Sequence, residues 1–155
     1  MSTKSTELHN PHNFHVGLKL ILENKEGKIL ALKLPKNSSM AGYYDLPGGR
    51  INTEELRTPY EEIIRREVEE EICNDVKYQL ILKPVSVSRH IFFSLKFNRE
   101  SYIFFVFFKA LYLDGNIKPL GEHIDYKWID LNDKTITKYF IKGLNEGLQN
   151  YIKWK

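Results

Sequence analysis

The chain has 155 residues, of which 42% are hydrophobic and 28% are charged, and its formal net charge is +3. This length suits one domain with a proper core and is too short for two ordinary domains, and the composition is that of a soluble globular protein. The modest charge suits small anionic substrates but excludes a broad nucleic-acid-binding surface; the single cysteine excludes an internal disulfide framework, and no apolar stretch reaches the ~18 residues of a membrane span.

The first third of the chain predicts an arm followed by strands. Residues 1–13 are polar and predict a flexible N-terminal arm, with a single domain over residues 14–155. Residues 16–23 and 28–34 are apolar runs on either side of a polar turn, which favours a β-hairpin. A short strand is expected at 42–46, leading into a glycine turn.

A helix is predicted after this turn. Pro59 suits the first helical position, where its missing N–H has no partner in any case, and Thr58 precedes it as the N-cap. Glu61 stands at the spacing of a capping box. The helix is expected to run to about Cys73, and Asn74 is expected to end it in a left-handed conformation.

The predicted helix carries a cluster of carboxylates. Glu67, Glu70 and Glu71 have the spacing i, i+3, i+4 and therefore project from one face, where like charges repel each other. A hard divalent cation with oxygen ligands would offset this repulsion, and Arg66 could hold one carboxylate by a charge-assisted hydrogen bond. The alternative is a solvated acidic helix face, which is what most runs of charge are.

The remaining elements complete an α/β pattern. Strands are expected at 76–88 and 126–129, with a separate short extended run at 92–93. Residues 102–108 are apolar without alternation, which predicts a strand in the middle of a sheet that is covered on both faces. Apolar residues at helical spacing predict one long helix over about 133–154. This order implies a mixed sheet between two helical layers.

Two segments resemble the signature of the Nudix hydrolases. Residues 46–49 read LPGG and residues 66–71 read REVEEE, which matches the core of that signature; YDL at 44–46 and EHIDYKW at 122–128 also look like Nudix segments. The chain is identified as a MutT-like member of this family. The resemblance implies an α/β/α sandwich with a mixed β-sheet, the Nudix fold.

The sequence departs from the family pattern in two places. The interval from Gly49 to Arg66 is three residues longer than in the family. Depending on which side is aligned, Glu55 or Thr58 occupies the place of the first glutamate of the signature, and the third alternative is that neither residue takes over its role. A three-residue loop insertion costs little entropy, so the fold should tolerate it. The family's glycine after the helix is replaced here by Cys73.

The resemblance also implies the ligands of a metal ion. Glu67, Glu70 and Glu71 would bind Mg²⁺ or Mn²⁺, and the carbonyl group of Gly48 would complete the shell. Residues implied to be catalytic are Arg66, Glu67, Glu70 and Glu122: Arg66 would orient Glu67, and Glu122 would be a further ligand or the general base.

The cluster suits the cleavage of a phosphoanhydride, whose charge must be neutralised before it reacts. We expect a hydrolase of a nucleoside diphosphate linked to another moiety, such as a nucleoside triphosphate or a nucleotide sugar. Lys33, Arg50 and Arg89 are candidate contacts for its phosphates; the alternative for Lys33 is a solvated surface lysine.

Two other functions stay open at this point. One is a Nudix-fold nucleotide-binding or regulatory module with little turnover, and the other is a hydrolase of a non-nucleotide diphosphate. The expected partner is a small molecule rather than a membrane or a stably bound nucleic acid. We expect a cytoplasmic monomer or homodimer.

Overall fold

Within residues 8–155, the part of the chain that the computed structural model describes, seven strands form one mixed sheet. The strands are β1 (His15–Glu23), β2 (Ile29–Lys33), β3 (Tyr44–Asp45), β4 (Gly48–Arg50), β5 (Lys77–Ser94), β6 (Arg99–Asp114) and β7 (Asp125–Ile129). The helices are α1 (Tyr60–Glu71), α2 (Asp133–Tyr139) and α3 (Lys142–Trp154). A 3-10 turn, Thr53–Glu55, precedes α1.

The sheet has the order β3-β2-β1-β6-β5, with β4 paired to β1 and β7 paired to β2. β1 and β6 are parallel, and the other pairs are antiparallel. β1 therefore joins the halves of the sheet, and it pairs directly with the glycine segment β4. Leu18 faces Gly49 and Lys19 faces Gly48 in that pairing.

Both faces of the sheet are covered by helices. Phe105 and Phe107 pack in a cluster with α2 and α3, whereas Phe108 packs in a second cluster with Ile63 and Val68 of α1. Because β6 contributes to both clusters, its sequence shows no alternation. The predictions of a buried central strand at 102–108 and of an α/β/α sandwich are confirmed.

The predicted caps of α1 are wrong, although its predicted range of about 59–73 differs from Tyr60–Glu71 by only one or two residues. The helix begins at Tyr60 with Pro59 as its cap residue and has no side-chain cap, because Thr58 is part of the preceding turn: its N–H donates to the Glu55 carbonyl at 3.0 Å. At the other end, Leu120 N–H donates to the last helical carbonyl at 2.8 Å. Since a loop supplies this bond, no left-handed end is needed, and Asn74 does not have a positive φ.

β5 and β6 form one long hairpin. β5 is continuous over 18 residues, so the prediction of a separate extended run at 92–93 is wrong. The strand absorbs Pro84 by register shifts on both sides of it. A proline is tolerated there because β5 is an edge strand, whose outward N–H groups need no partner in the sheet.

The predicted C-terminal helix is two helices. Phe140 is extended, with φ −125° and ψ 144°, and Lys142 has φ +53°, so the chain turns between α2 and α3. The buried side chain of Phe140 packs between them in the core, and Gly143 lies directly against His90 of β5. Packing of α3 onto β5 thus overrides the continuous helical periodicity.

Part of the predicted arm can be assessed. Residues 1–7 lie outside the described residues, and residues 8–13 form no helix or strand. The ring of His12 nevertheless packs edge-on against Phe14 and Tyr102, with ring centres 5.0 and 4.2 Å away. None of the helices within residues 8–155 is both long enough and apolar enough to pass through a bilayer.

We expect Gly147→Ala to destabilise the protein. Alanine is the better helix former by about 1 kcal/mol, but a Cβ at Gly147 would overlap the buried ring of Phe107. Overpacking of this kind costs about 1–3 kcal/mol. Urea unfolding measures the change, with Gln149→Ala on the same helix as the control; a more stable Gly147→Ala variant would contradict the close approach.

Candidate metal and substrate site

A cavity of about 360 Å³ lies where β4, the end of α1, the β5–β6 hairpin and the start of α3 meet. Its acidic part contains Gly48, Glu71 and Glu122, and Arg50 also lines it. Its aromatic part consists of His90, Phe92 and Phe105, together with Ile103 and Leu144. The cavity therefore combines oxygen donors, a cation and an apolar surface in one space.

Arg66 organises the acidic helix. Its Nε and Nη2 donate to the two carboxylate oxygens of Glu55 at 2.9 and 2.7 Å, and its Nη1 lies 2.9 Å from Glu67 and 3.1 Å from Glu70. One guanidinium thus holds three carboxylates, which offsets their mutual repulsion. Of the two candidates for the first glutamate of the signature, Glu55 makes the bidentate pair, whereas Thr58 donates its backbone N–H to the Glu55 carbonyl.

Glu67 is fixed against β4. It is buried, and a Cβ on Gly49 would lie 2.6 Å from its carboxyl carbon, so only glycine leaves room for it there. Burial raises the pKa of Glu67, and the neighbouring Arg66 opposes that rise. The glycine of the signature is therefore explained by the approach of this carboxylate.

Glu71 faces the cavity. Gly48 N–H donates to its Oε2 at 3.0 Å. Burial raises the pKa of Glu71 to about 8, although the cation of Lys19 opposes this. Nearby positive charge is therefore too weak to stabilise the ionised form of Glu71, so this carboxylate is poorly compensated. A further cation beside it would stabilise the charged form.

Lys19 and Asp45 form a buried ion pair that sequence reasoning missed. Lys19 Nζ lies 2.8 Å from Asp45 Oδ1 and donates to the carbonyls of Leu46 and Gly48, both at 3.3 Å. All three ammonium hydrogens thus have acceptors in the segment 45–48. The available signal was a single lysine within the apolar run of residues 16–22, since a charge that is buried with such a run needs a partner.

The ion pair and the nearby His123 shift one another's pKa values. Burial by itself would raise the pKa of Asp45, but Lys19 and then His123 outweigh it and lower the pKa from 3.8 to about 2. His123 is buried, and its Nε2 lies 3.7 Å from Asp45 Oδ2, beyond hydrogen-bonding distance. Burial opposes the charge of His123, yet Asp45 and then Glu71 raise its pKa above the ordinary value.

The predicted site residues fall into three groups. Those that line the cavity are Gly48, Arg50, Glu71 and Glu122. Those that pair with one another beside the cavity are Arg66, Glu67 and Glu70, and Glu67 packs against Gly49 of the cavity lining. Lys33 and Arg89 are brought to neither group: Lys33 ends β2 beside β7, and the exposed Arg89 pairs with Glu146 at 3.9 Å.

The residues fit a divalent cation by their chemistry, although they do not converge on one point. Within residues 8–155, no three His, Cys, Asp or Glu side chains stand in a ready arrangement for a metal ion. Glu70 is engaged with Arg66 and Glu71 with Gly48 N–H. The donors are nevertheless all oxygen atoms, which Mg²⁺ and Mn²⁺ prefer. The three carboxylates lie on one face of α1, and one of them, Glu71, lacks a full counter-charge.

We expect Glu55→Gln to be far more destabilising than Thr58→Val. The first change removes the charge from a partly buried bidentate pair, and solvent screening keeps its contribution toward the lower end of the about 1.5–3 kcal/mol of a hydrogen bond to a charged group. Thermal unfolding measures both, with the exposed Glu54→Gln as the matched control. A larger loss for Thr58→Val would mean that the helix-aligned residue carries the role of the first glutamate.

Asp45→Asn should be among the most destabilising single changes, because it leaves the buried ammonium of Lys19 unpaired. Breaking a buried ion pair in this way lowers the free energy of unfolding by about 3–5 kcal/mol. Since the pKa of Asp45 is depressed to about 2, the advantage of the wild type is present above about pH 4 and is lost as the pH falls toward 2.

Urea unfolding of both proteins between pH 7 and pH 2 measures this difference. Glu26→Gln, which removes an exposed ion pair to Lys28, is the control and should have little effect. A stability difference that stays constant with pH would show that the Lys19–Asp45 pair is not the cause.

Comparisons with known proteins identify the family to which this fold belongs. The family model described as NUDIX domain matches residues 13–154, and no protein of curated function matches the sequence. A MutT protein of Methanosarcina mazei is 23% identical with a TM-score of 0.67, covering 90% of this chain and 94% of that one.

Two further solved structures share the fold. An Ap4A hydrolase of C. elegans is 15% identical with a TM-score of 0.61, over 90% of this chain and 96% of that one. The E. coli dihydroneopterin triphosphate pyrophosphohydrolase is 13% identical with a TM-score of 0.58, over 91% and 96%. The chain therefore belongs to the NUDIX domain family, as its sequence predicted, and the expected enzyme class of a Nudix-type pyrophosphohydrolase is confirmed with it.

Proposed function

We propose that this protein is a divalent-metal-dependent hydrolase that cleaves the phosphoanhydride bond of a nucleoside diphosphate derivative, of the nucleoside triphosphate or nucleotide sugar type. The observation that carries the proposal is the acidic part of the cavity, where the poorly compensated Glu71 lies beside the Gly48 backbone and Arg50 lines the same space. A diphosphate placed there meets a cation, and its metal ion meets oxygen donors.

The residues that would hold Mg²⁺ or Mn²⁺ are Glu67, Glu70, Glu71 and the carbonyl group of Gly48. Bound there, the metal ion would neutralise phosphate charge and lower the pKa of a coordinated water. Glu67 is already oriented by Arg66 and by the glycine beside it. Arg66 is a positioning residue in this scheme, since its guanidinium is taken up by carboxylates.

The other roles belong to side chains at the cavity surface. Glu122 is exposed, lines the cavity and is free to accept a proton from the attacking water as general base. Arg50 can neutralise a phosphate oxygen. Lys33 and Arg89 would reach a phosphate only if the substrate extended beyond the cavity. Arg50 is therefore the main phosphate contact in this proposal.

The substrate class is supported by chemistry rather than by any one relative. The names of two solved relatives, the Ap4A hydrolase and the dihydroneopterin triphosphate pyrophosphohydrolase, specify compounds in which a heteroaromatic group is attached to a phosphoanhydride chain. Their identities of 15% and 13% are too low to transfer either substrate. The proposal is therefore a class of compound.

One observation favours a second candidate function. Because Glu70 and Glu71 are engaged with Arg66 and Gly48 N–H, the carboxylates do not converge. A nucleotide-binding module with little turnover would need no convergence. In either case we propose a single domain over residues 14–155, acting as a cytoplasmic monomer or homodimer.

We expect Glu71→Gln to lower kcat/KM by at least about 100-fold, the upper end of the effect of losing an outer-shell partner of a metal. Glu69→Gln is the matched control, because Glu69 is exposed on another face of the same helix and should leave the rate unchanged. The assay is phosphate and pyrophosphate release from a panel of nucleoside triphosphates and nucleotide sugars, with Mg²⁺, Mn²⁺ or EDTA.

Calorimetry of metal and nucleotide binding completes this test. Metal-dependent activity that is lost only in Glu71→Gln supports the hydrolase. Equal rates for Glu71→Gln and the wild type would show that the acidic part of the cavity is not the catalytic centre. Nucleotide binding without turnover in any metal would instead support the binding module.

A further inference from the structure

The aromatic part of the cavity contains one polar side chain, that of His90. Its ring is tilted against Phe92 and Phe105, with ring centres 5.4 and 5.2 Å away. Ile103 and Leu144 complete this part, so its surface is otherwise apolar. A buried imidazole in such surroundings needs a use for each of its two nitrogens.

The first nitrogen of His90 is used by the fold. Gly143 N–H, at the start of α3, donates to Nδ1 at 3.2 Å. The Gly143 carbonyl accepts from Ser88 Oγ at 2.5 Å, and a Cβ on Gly143 would lie 2.6 Å from the Cβ of His90. The ring is therefore clamped, and Nδ1 must be the unprotonated nitrogen because it accepts a hydrogen bond.

The proton of the neutral ring consequently lies on Nε2. Burial, and then the positive charge of Lys19, lower the pKa of His90 to about 4, so the ring is neutral at physiological pH. Among residues 8–155, the side-chain nitrogens that are both fully buried and without a partner are those of His123. Nε2 of His90 also makes no hydrogen bond with the described residues, but it is not fully buried. Because His90 lines the cavity, its Nε2–H faces that space as a donor.

The aromatic part that holds His90 adjoins the acidic part of the cavity. The Arg50 guanidinium lies 5.5 Å from the centre of the Phe92 ring, and Lys19 Nζ lies 5.4 Å from the centre of the Phe105 ring. A ligand whose diphosphate lies beside Arg50 and Glu71 would therefore extend its attached group along Phe92 and Phe105. Planar aromatic groups gain most from such a surface.

We propose that the aromatic part of the cavity binds the nucleobase of the substrate, and that His90 is a specificity-determining residue whose Nε2–H donates a hydrogen bond to an acceptor atom of that base. This inference rests on the proposed function. Filling the site with a group that offers no acceptor displaces water from the donor and leaves it unsatisfied, which is costly. A sugar diphosphate without a base gains neither the ring contacts nor this bond.

The test compares a nucleoside triphosphate with ribose 5-triphosphate, the same compound without its base. We expect the wild type to prefer the nucleotide in kcat/KM. His90→Phe keeps a ring but removes the donor, and should lower kcat/KM for the nucleotide by about 10-fold, the worth of one hydrogen bond, while leaving that for ribose 5-triphosphate unchanged. His90→Gln, whose amide N–H can occupy the place of Nε2–H, should retain most of the preference.

The same comparison can be made without turnover. Calorimetry of a nucleoside monophosphate against ribose 5-phosphate, in the absence of metal, should show the same loss in His90→Phe. Ile91→Thr is the control, because Ile91 is exposed on the opposite face of β5. If His90→Phe does not fold, His90→Asn, whose amide is too short to reach the position of Nε2, takes its place.

The outcomes separate this inference from the proposed function. Equal losses for the compounds with and without a base, or no preference in the wild type, would overturn the role of His90 while leaving the hydrolase intact. Absence of any turnover would overturn the hydrolase, but a base-dependent binding loss in His90→Phe would still support the nucleobase site.

Discussion

The structure of the site depends on the burial of one ammonium group. Lys19 enters the cavity from the central strand β1, and all three of its hydrogens have acceptors in segment 45–48. That segment carries Gly48, whose N–H holds Glu71, and leads to Gly49, against which Glu67 packs. A shift of this turn would therefore displace two carboxylates of α1 together, so the ion pair couples the sheet to the acidic helix.

Around α1 and the cavity, carboxylates outnumber the cations that pair with them. Arg66 serves Glu55, Glu67 and Glu70, while Lys19 is committed to Asp45. The remaining imbalance is borne by Glu71, whose pKa is raised by burial to about 8. An enzyme that recruits a divalent cation together with an anionic substrate benefits from such a deficit, because each bound cation then stabilises groups that are otherwise costly to ionise.

Sequence patterns predicted the elements that are determined by residues close together in the chain. The spacing of Glu67, Glu70 and Glu71 and the uninterrupted apolar run at 102–108 indicated the acidic helix face and the central strand. The pairing of Lys19 with Asp45 and the clamping of His90 by Gly143 join residues far apart in sequence. The break between α2 and α3 has the same origin, because it is set by what α3 packs against.

The lengthened loop keeps a direct contact with the acidic helix. The loop contains a 3-10 turn, Thr53–Glu55, and this turn places the carboxylate of Glu55 against Arg66 with two hydrogen bonds. Closing a slightly longer loop costs only a fraction of a kcal/mol, whereas the bidentate pair contributes about 1.5–3 kcal/mol for each bond. The contact therefore outweighs the insertion, and the arginine is held from the loop side even though the spacing of the signature is not kept.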